Sequence, residues 1–327
     1  MTAVRIDGLQ YCAWDEARFL ELRAGGLDAV HVTICYHENF RETIANIQQW
    51  NDYFAKFSHL LMRGRDADDV RTAQQSGRTA VFFGFQNCSP IEDDIRLVEI
   101  CHDLGARFMQ LTYNNQSLLA GGCYEEQDSG ITRMGRQVIG EMNRLGVVVD
   151  MSHSGERSTL QAMEYSQRPI AITHANPAAW HAAKRNKSDT VLRALGQSGG
   201  MLGLSLYPHH LLGGSACTLA DFCGMAARTA ELMGADNIGI GSDLCRGHPD
   251  AVVDWMRNGR WTKAQDFGEG SAAAPGFPPM PPWFQSAADF DVLAQGLRQA
   301  GFDDNETDGI LGNNWLRFFH SSFSPAA

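Results

Sequence analysis

Three short segments carry residues able to do chemistry. "DMSHSG" places a histidine at 153, "ITHANP" a second at 174, and "GIGSDLCRG" an aspartate at 243. Each follows an apolar, strand-like run. Two imidazoles and a carboxylate form the protein shell of many catalytic zinc sites, where a bound water fills the open position and becomes the nucleophile. Singly, each residue has a plainer reading: a hydrogen-bonded histidine past a strand, or an aspartate capping the next helix. Three at equivalent places, past the fifth, sixth and eighth strand-like runs, favour a shared site.

Such residues converge only if the elements beneath them are arranged in register. Strands are expected at 3–7, 29–35, 79–85, 107–112, 147–152, 169–173, 201–206 and 237–242. Most are apolar throughout, which suits strands covered on both faces. Helices are expected between them, over 41–62, in "SPIEDDIRLVEICHDLG" with Ser89 as N-cap, in "MGRQVIGEMNRLG" ending at Gly146, and in "TLADFCGMAARTAELMG". Eight strands alternating with helices predict an α/β fold, a (β/α)8 TIM barrel spanning 1–327 as a single domain, with chemistry at the C-terminal strand ends. A Pro-rich insertion, "AAAPGFPPMPPWF", interrupts the pattern around 254–290 and is expected to loop near the barrel mouth.

Composition narrows the partners. With 327 residues and 44% hydrophobic content the chain can bury a large core. A net charge of -11 argues against nucleic acid or an anionic membrane as partner. No run approaches a membrane span, and "MTAVRIDG" has no basic segment leading into an apolar core, so a cytoplasmic protein is expected. The eight cysteines show no CxxC pair and read as reduced, mostly buried thiols.

Beyond the barrel pattern, "RIDG", "EMNRLGVVVDMSHSG", "ITHANP", "KRNKSD", "NIGIGSD" and "GNNWLRFF" together resemble the membrane (renal-type) dipeptidases, zinc metallopeptidases with an amidohydrolase-like barrel. The resemblance implies two zinc ions, a bridging hydroxide, cleavage of dipeptides, and a homodimer. Carried over residue by residue, it divides. The histidines of the second zinc are His153 and His174, the proton-transferring aspartate is Asp243, and the arginine holding the substrate carboxylate is Arg185. The His-x-Asp pair of the first zinc is replaced by Leu9 and Tyr11, the bridging glutamate by Gln86, and a substrate-contacting histidine by Tyr113.

Charge decides what those replacements mean. Two zinc ions bring four positive charges, and only one of the family's three carboxylates remains. A two-metal centre is therefore not expected; a single zinc on His153 and His174 is, with Asp243 or water completing the shell. His37, Glu38, Cys88, Cys123, Glu125, Glu126, Cys245 and His248 are candidate replacement ligands, while His209 and His210 read as a surface turn around Pro208. The leading expectation is a divergent hydrolase cleaving an amide bond in a small carboxylate-bearing substrate. Asp243 and Tyr113 are its catalytic groups, and Arg185, Tyr11 and Gln86 bind substrate. A non-hydrolytic isomerase or lyase, and a silent carboxylate-binding protein, are the alternatives.

Overall fold

The computed structural model describes residues 3–324. Ten strands, all parallel, form the sheet: β1 (Ile6–Cys12), β2 (Ala29–Cys35), β3 (Leu61–Arg63), β4 (Thr79–Phe85), β5 (Ala106–Gln110), β6 (Val148–Asp150), β7 (Ala171–Ala175), β8 (Met201–Leu204), β9 (Ile238–Ile240) and β10 (Leu244–Arg246). β3 is an accessory strand beside the start of β4. The other nine run in the order β10-β1-β2-β4-β5-β6-β7-β8-β9. β9 and β10 are two halves of one run, the first bonded to β8 and the second to β1, so that run closes the ring. Eight barrel positions result, as the alternation of strand and helix predicts.

Three apolar clusters stack along the barrel. The largest lies between the strands and the surrounding helices, where Val30, Val32, Val81, Phe83 and Ile172 meet helix residues such as Val138, Leu192 and Phe222. A second fills the floor: Ile6, Ala29, Phe82, Phe108 and Met201 pack against Trp315, Phe319 and Phe323 from the C-terminal chain. Trp315 is fully buried and donates its indole N–H to the Ile240 carbonyl at 2.9 Å. A Cβ at Gly8 would sit 2.6 Å from that indole, so the glycine is required by the close approach. The third cluster, Tyr36, Tyr113, Val253 and Met256, lies at the mouth.

Several boundaries differ from the sequence reading. The first strand extends through Cys12, so Leu9 and Tyr11 lie within it rather than in a loop. Asp7, which reads as a strand terminator, is tolerated inside because its carboxylate is fully satisfied. Oδ1 accepts from the Ser242 amide at 2.8 Å and the Leu9 amide at 3.3 Å. Oδ2 accepts from Gln10 Nε2 at 2.7 Å and Ser242 Oγ at 2.5 Å. The eighth strand splits at Asp243, which takes a left-handed φ of 52°. The helix expected from 41 to 62 ends at Lys56, before β3. "SPIEDDIRLVEICHDLG" breaks into a 3-10 turn, Ser89–Ile91, and a helix, Leu97–Asp103, with positive φ at Glu92 between them.

Every partner of the Asp7 carboxylate is a donor, so replacing one oxygen by an amide NH2 sets donor against donor. Asp7→Asn is expected to lower unfolding stability by about 2–4 kcal/mol. Urea denaturation of the two proteins measures it.

Candidate active site

A second buried aspartate builds the site floor. Asp150, at the end of β6, accepts from the Ser152 amide at 3.0 Å, Ser152 Oγ at 2.6 Å, the Thr173 amide at 3.2 Å and Thr173 Oγ1 at 2.6 Å. Thr173 has one hydroxyl proton, and it goes to Asp150. Its oxygen therefore accepts from His174 Nδ1, 2.8 Å away. His153 Nδ1 likewise faces Asn114 Oδ1 at 2.6 Å. Both rings thus carry their proton on Nδ1, and both Nε2 lone pairs point inward, 3.1 Å apart. Burial, with Arg185 nearby, pushes both imidazoles well below their ordinary pKa, so they stay neutral. Two facing lone pairs at that distance repel unless a cation lies between them.

Against His153 lies a small cavity lined also by Arg185, Asp243, Tyr113, Gln86 and His210, among others. Its free volume is about 50 Å³, room for a few waters, but four of its lining residues, Tyr124, His209, Gly268 and Glu269, also line a neighbouring cleft of about 840 Å³, room for a whole organic ligand. Arg185 is buried, with Nη1 donating to the Ser152 carbonyl and Nη2 to the His174 carbonyl. A guanidinium has five N–H groups, so donors remain for a ligand. Asp243 is held by its amide on the Leu9 carbonyl at 3.0 Å, and its carboxylate meets the Cys245 thiol at 3.7 Å. Burial pushes its pKa up to about 6, against the pull of Arg185. Tyr113 stacks on His153 with ring centroids 4.0 Å apart. Gln86 Nε2 donates to Thr33 Oγ1 at 2.7 Å and to the Tyr36 hydroxyl at 3.1 Å.

Five of the seven candidate residues, His153, Arg185, Asp243, Tyr113 and Gln86, line this cavity, and His174 is buried against His153. Tyr11 stands behind that wall, edge-on to Tyr36 at 4.8 Å and stacked on His248 at 4.2 Å, facing an adjoining groove. His210 is buried, contrary to the surface turn expected of it; Ser205 Oγ lies 2.8 Å from its Nδ1. The insertion supplies Arg257, Glu269 and Phe277 to the cavity. Burial pushes Glu269 up to about 7. No motif marks these three; the Pro-rich composition around them was the only signal.

The donor set tests the metal. A tetrahedral ion with Zn–N bonds of 2.0–2.1 Å spreads its ligand nitrogens about 3.3 Å apart, close to the observed 3.1 Å. The histidine pair fits two corners of one such shell. The other half of a two-metal centre does not fit: Leu9 has no donor atom, and the Gln86 amide is neutral and turned to hydroxyls. The candidate replacements do not complete it, and among the described residues no group of three His, Cys, Asp or Glu gathers around one point. Glu38, for instance, is spent on the Tyr36 and His37 amides and the Trp255 indole, and His37 Nε2 on the Met256 carbonyl.

A closed parallel barrel with a histidine pair, an arginine and a strand-end carboxylate at its C-terminal mouth defines the class of amidohydrolase-like α/β barrels. Within that class the chain belongs to the membrane dipeptidase family, peptidase family M19, whose model matches residues 15–258. A solved amidohydrolase from Pseudomonas aeruginosa is 30% identical, with a TM-score of 0.93 over 98% of this chain and 97% of that one. A solved metallopeptidase from Rhodobacter sphaeroides, bound to a phosphinate mimic of L-Ala-D-Ala, shares the fold at 16% identity and a TM-score of 0.80, covering 98% of this chain and 100% of that one. Dipeptidase tcpJ of Claviceps purpurea is 27% identical over 66% of this chain and 51% of its own length. For dipeptidase aclJ of Aspergillus oryzae the values are 23%, 86% and 61%. The chain thus spans between half and three-fifths of these two curated relatives. Among the described residues, no helix is long and apolar enough to cross a membrane.

The raised pKa of Asp243 sets a pH signature. Its folded pKa, about 6, exceeds the ordinary aspartate value of 3.8, so between these limits the folded chain binds more protons than the unfolded one. Its ionisation therefore removes stability as pH rises from 4 to 6, by about 2–3 kcal/mol at most. Melting curves of wild type and Asp243→Asn across pH 4–8 are expected to diverge, the variant gaining relative stability toward pH 7.

Proposed function

We propose that the protein hydrolyses an amide bond in a small carboxylate-bearing substrate, with one zinc ion seated on His153 and His174. The observation that carries this reading is the facing pair of Nε2 lone pairs, each fixed by an acceptor on its Nδ1. That arrangement prepares two nitrogens for a cation, and among the described residues no third ligand joins them. When bound, zinc would polarise the scissile carbonyl and make its water more acidic.

The remaining steps fall to the chain's own groups. Arg185 holds the substrate carboxylate with donors not used on the Ser152 and His174 carbonyls. Asp243 takes the proton from water as oxygen adds to the amide carbon, and returns it to nitrogen as the C–N bond breaks. Its pKa near 6 suits both transfers around neutral pH. The Tyr113 ring holds the plane of His153. A metal-free isomerase or lyase is the second reading, favoured by the lack of a third ligand among the described residues. Partner and location follow the same reasoning: a small molecule, and a cytoplasmic homodimer.

Elemental analysis of protein purified without added zinc is expected to find up to one equivalent, lost in the His153→Ala, His174→Ala variant. Absence of metal even after zinc is supplied, with activity indifferent to chelators, would leave the second reading. On a dipeptide panel with excess zinc, turnover should be weak; rates like those of a two-zinc dipeptidase would overturn the single-ion assignment. Arg185→Met should raise KM by about 100-fold, in line with the loss of a charge-assisted bidentate contact.

A further inference from the structure

The wall that the resemblance assigns to the missing zinc is aromatic. Tyr113 meets Tyr36 edge-on at 5.0 Å, and Tyr36 meets Tyr11 at 4.8 Å. Tyr11 stacks on His248 at 4.2 Å, His248 approaches Phe277 at 6.2 Å, and Phe277 meets Tyr207 at 6.2 Å. These contacts form a continuous collar drawn from β1, the segments after β2, β5, β8 and β10, and the insertion. With Tyr124, five of the chain's seven tyrosines stand at or just behind the cavity wall, a concentration that core packing alone does not require.

The charges around this collar are unevenly placed. Asp243 lines the same cavity, and among the described residues its side chain meets only the Cys245 thiol as a hydrogen-bond partner. Glu269 lines it too, with Oε1 buried and unpartnered. Arg185 stands by the histidine pair and has no ion-pair partner in contact among the described residues. A zwitterion would match both ends: its anion on Arg185, its cation on the rings and Asp243.

We propose that the substrate carries an N-methylated ammonium group, seated against Tyr36, Tyr113 and Tyr207 beside Asp243, in the space where the resemblance implies the first zinc. The inference rests on the preceding reading for the carboxylate end on Arg185. A primary ammonium needs hydrogen-bond acceptors for three N–H groups, and beyond the Asp243 and Glu269 carboxylates this wall is built mainly of aromatic rings. A methylated ammonium sheds water cheaply, has few or no donors to satisfy, and is attracted by the negative faces of aromatic rings. The single positive charge also replaces part of what the lost metal contributed, at a site that retains one carboxylate.

Calorimetric titration of the full chain with N,N,N-trimethylglycine and with 3,3-dimethylbutanoate tests the cage. The two ligands share shape and carboxylate and differ only in whether nitrogen or carbon bears the methyl groups. Wild type should prefer the cation by about tenfold or more. Tyr207→Leu should abolish most of that preference and Tyr207→Phe should keep it, because the ring face rather than the hydroxyl attracts the charge. Equal affinity, preference for the neutral isostere, or no binding of trimethylglycine to wild type at about 10 mM would overturn the proposal. Arg185→Met separates the two readings. If both ligands weaken together yet wild type shows no preference, the carboxylate clamp stands and the cage fails. If the preference persists and Arg185→Met changes nothing, the cage stands and the clamp fails. The wild-type comparison needs no variant to fold.

Discussion

The carboxylate of Asp7 is surrounded by donors at the point where the barrel closes. Its partners come from its own strand and from Ser242, on the far side of the chain. A buried acid with this many donors fixes register as well as proximity, since a slip of one residue would leave the group unpaired at a cost of several kcal/mol. That register places Asp243 at the mouth, with its amide on Leu9 and its backbone forced to positive φ. The strand break at Asp243 is the local consequence of closing the ring there.

Asp150 repeats the device across β6 and β7, with direct chemical effect. By taking the hydroxyl protons of Ser152 and Thr173 it dictates which nitrogen of His174 is protonated. His174 is thus prepared by a carboxylate that does not line the cavity, while Asn114 does the same for His153, and Ser152 and His174 supply the carbonyls that orient Arg185. Barrel stability and site geometry depend on the same buried acids.

The residues that the resemblance sets at the first-zinc side of the site are apolar, aromatic or neutral. Leu9, Tyr11, Gln86 and Tyr113 occupy positions where the resemblance implies metal ligands or a substrate-contacting histidine. Tyr113 stacks on His153. Removing carboxylates without removing metal would leave uncompensated positive charge in a low-dielectric pocket, so the ligands and the ion must be lost together. What remains is one nitrogen-lined seat beside a wall suited to apolar or diffuse positive groups.

Alternation of apolar runs with helical periodicity made the barrel legible, because hydrophobic patterning reports burial directly and the strands of a parallel sheet are buried on both faces. The strand-end positions of His153, His174 and Asp243 were legible for the same reason, and Arg185 through its motif. Four things were not. Asp7 read as the end of a strand, because nothing near it in sequence reveals the donors at Ser242 that allow it inside. The inward aim of both Nε2 atoms depends on Asn114 and on the Asp150–Thr173 bond. The arrival of Arg257, Glu269 and Phe277 from a Pro-rich insertion, and the joining of five tyrosines, also depend on segments far apart along the chain. The sequence by itself determined which residues are buried and which strand ends bear chemistry, since both follow from local pattern. Only the tertiary structure decided tautomer, charge balance and the shape of the cavity, since each is set by partners that local order does not bring together.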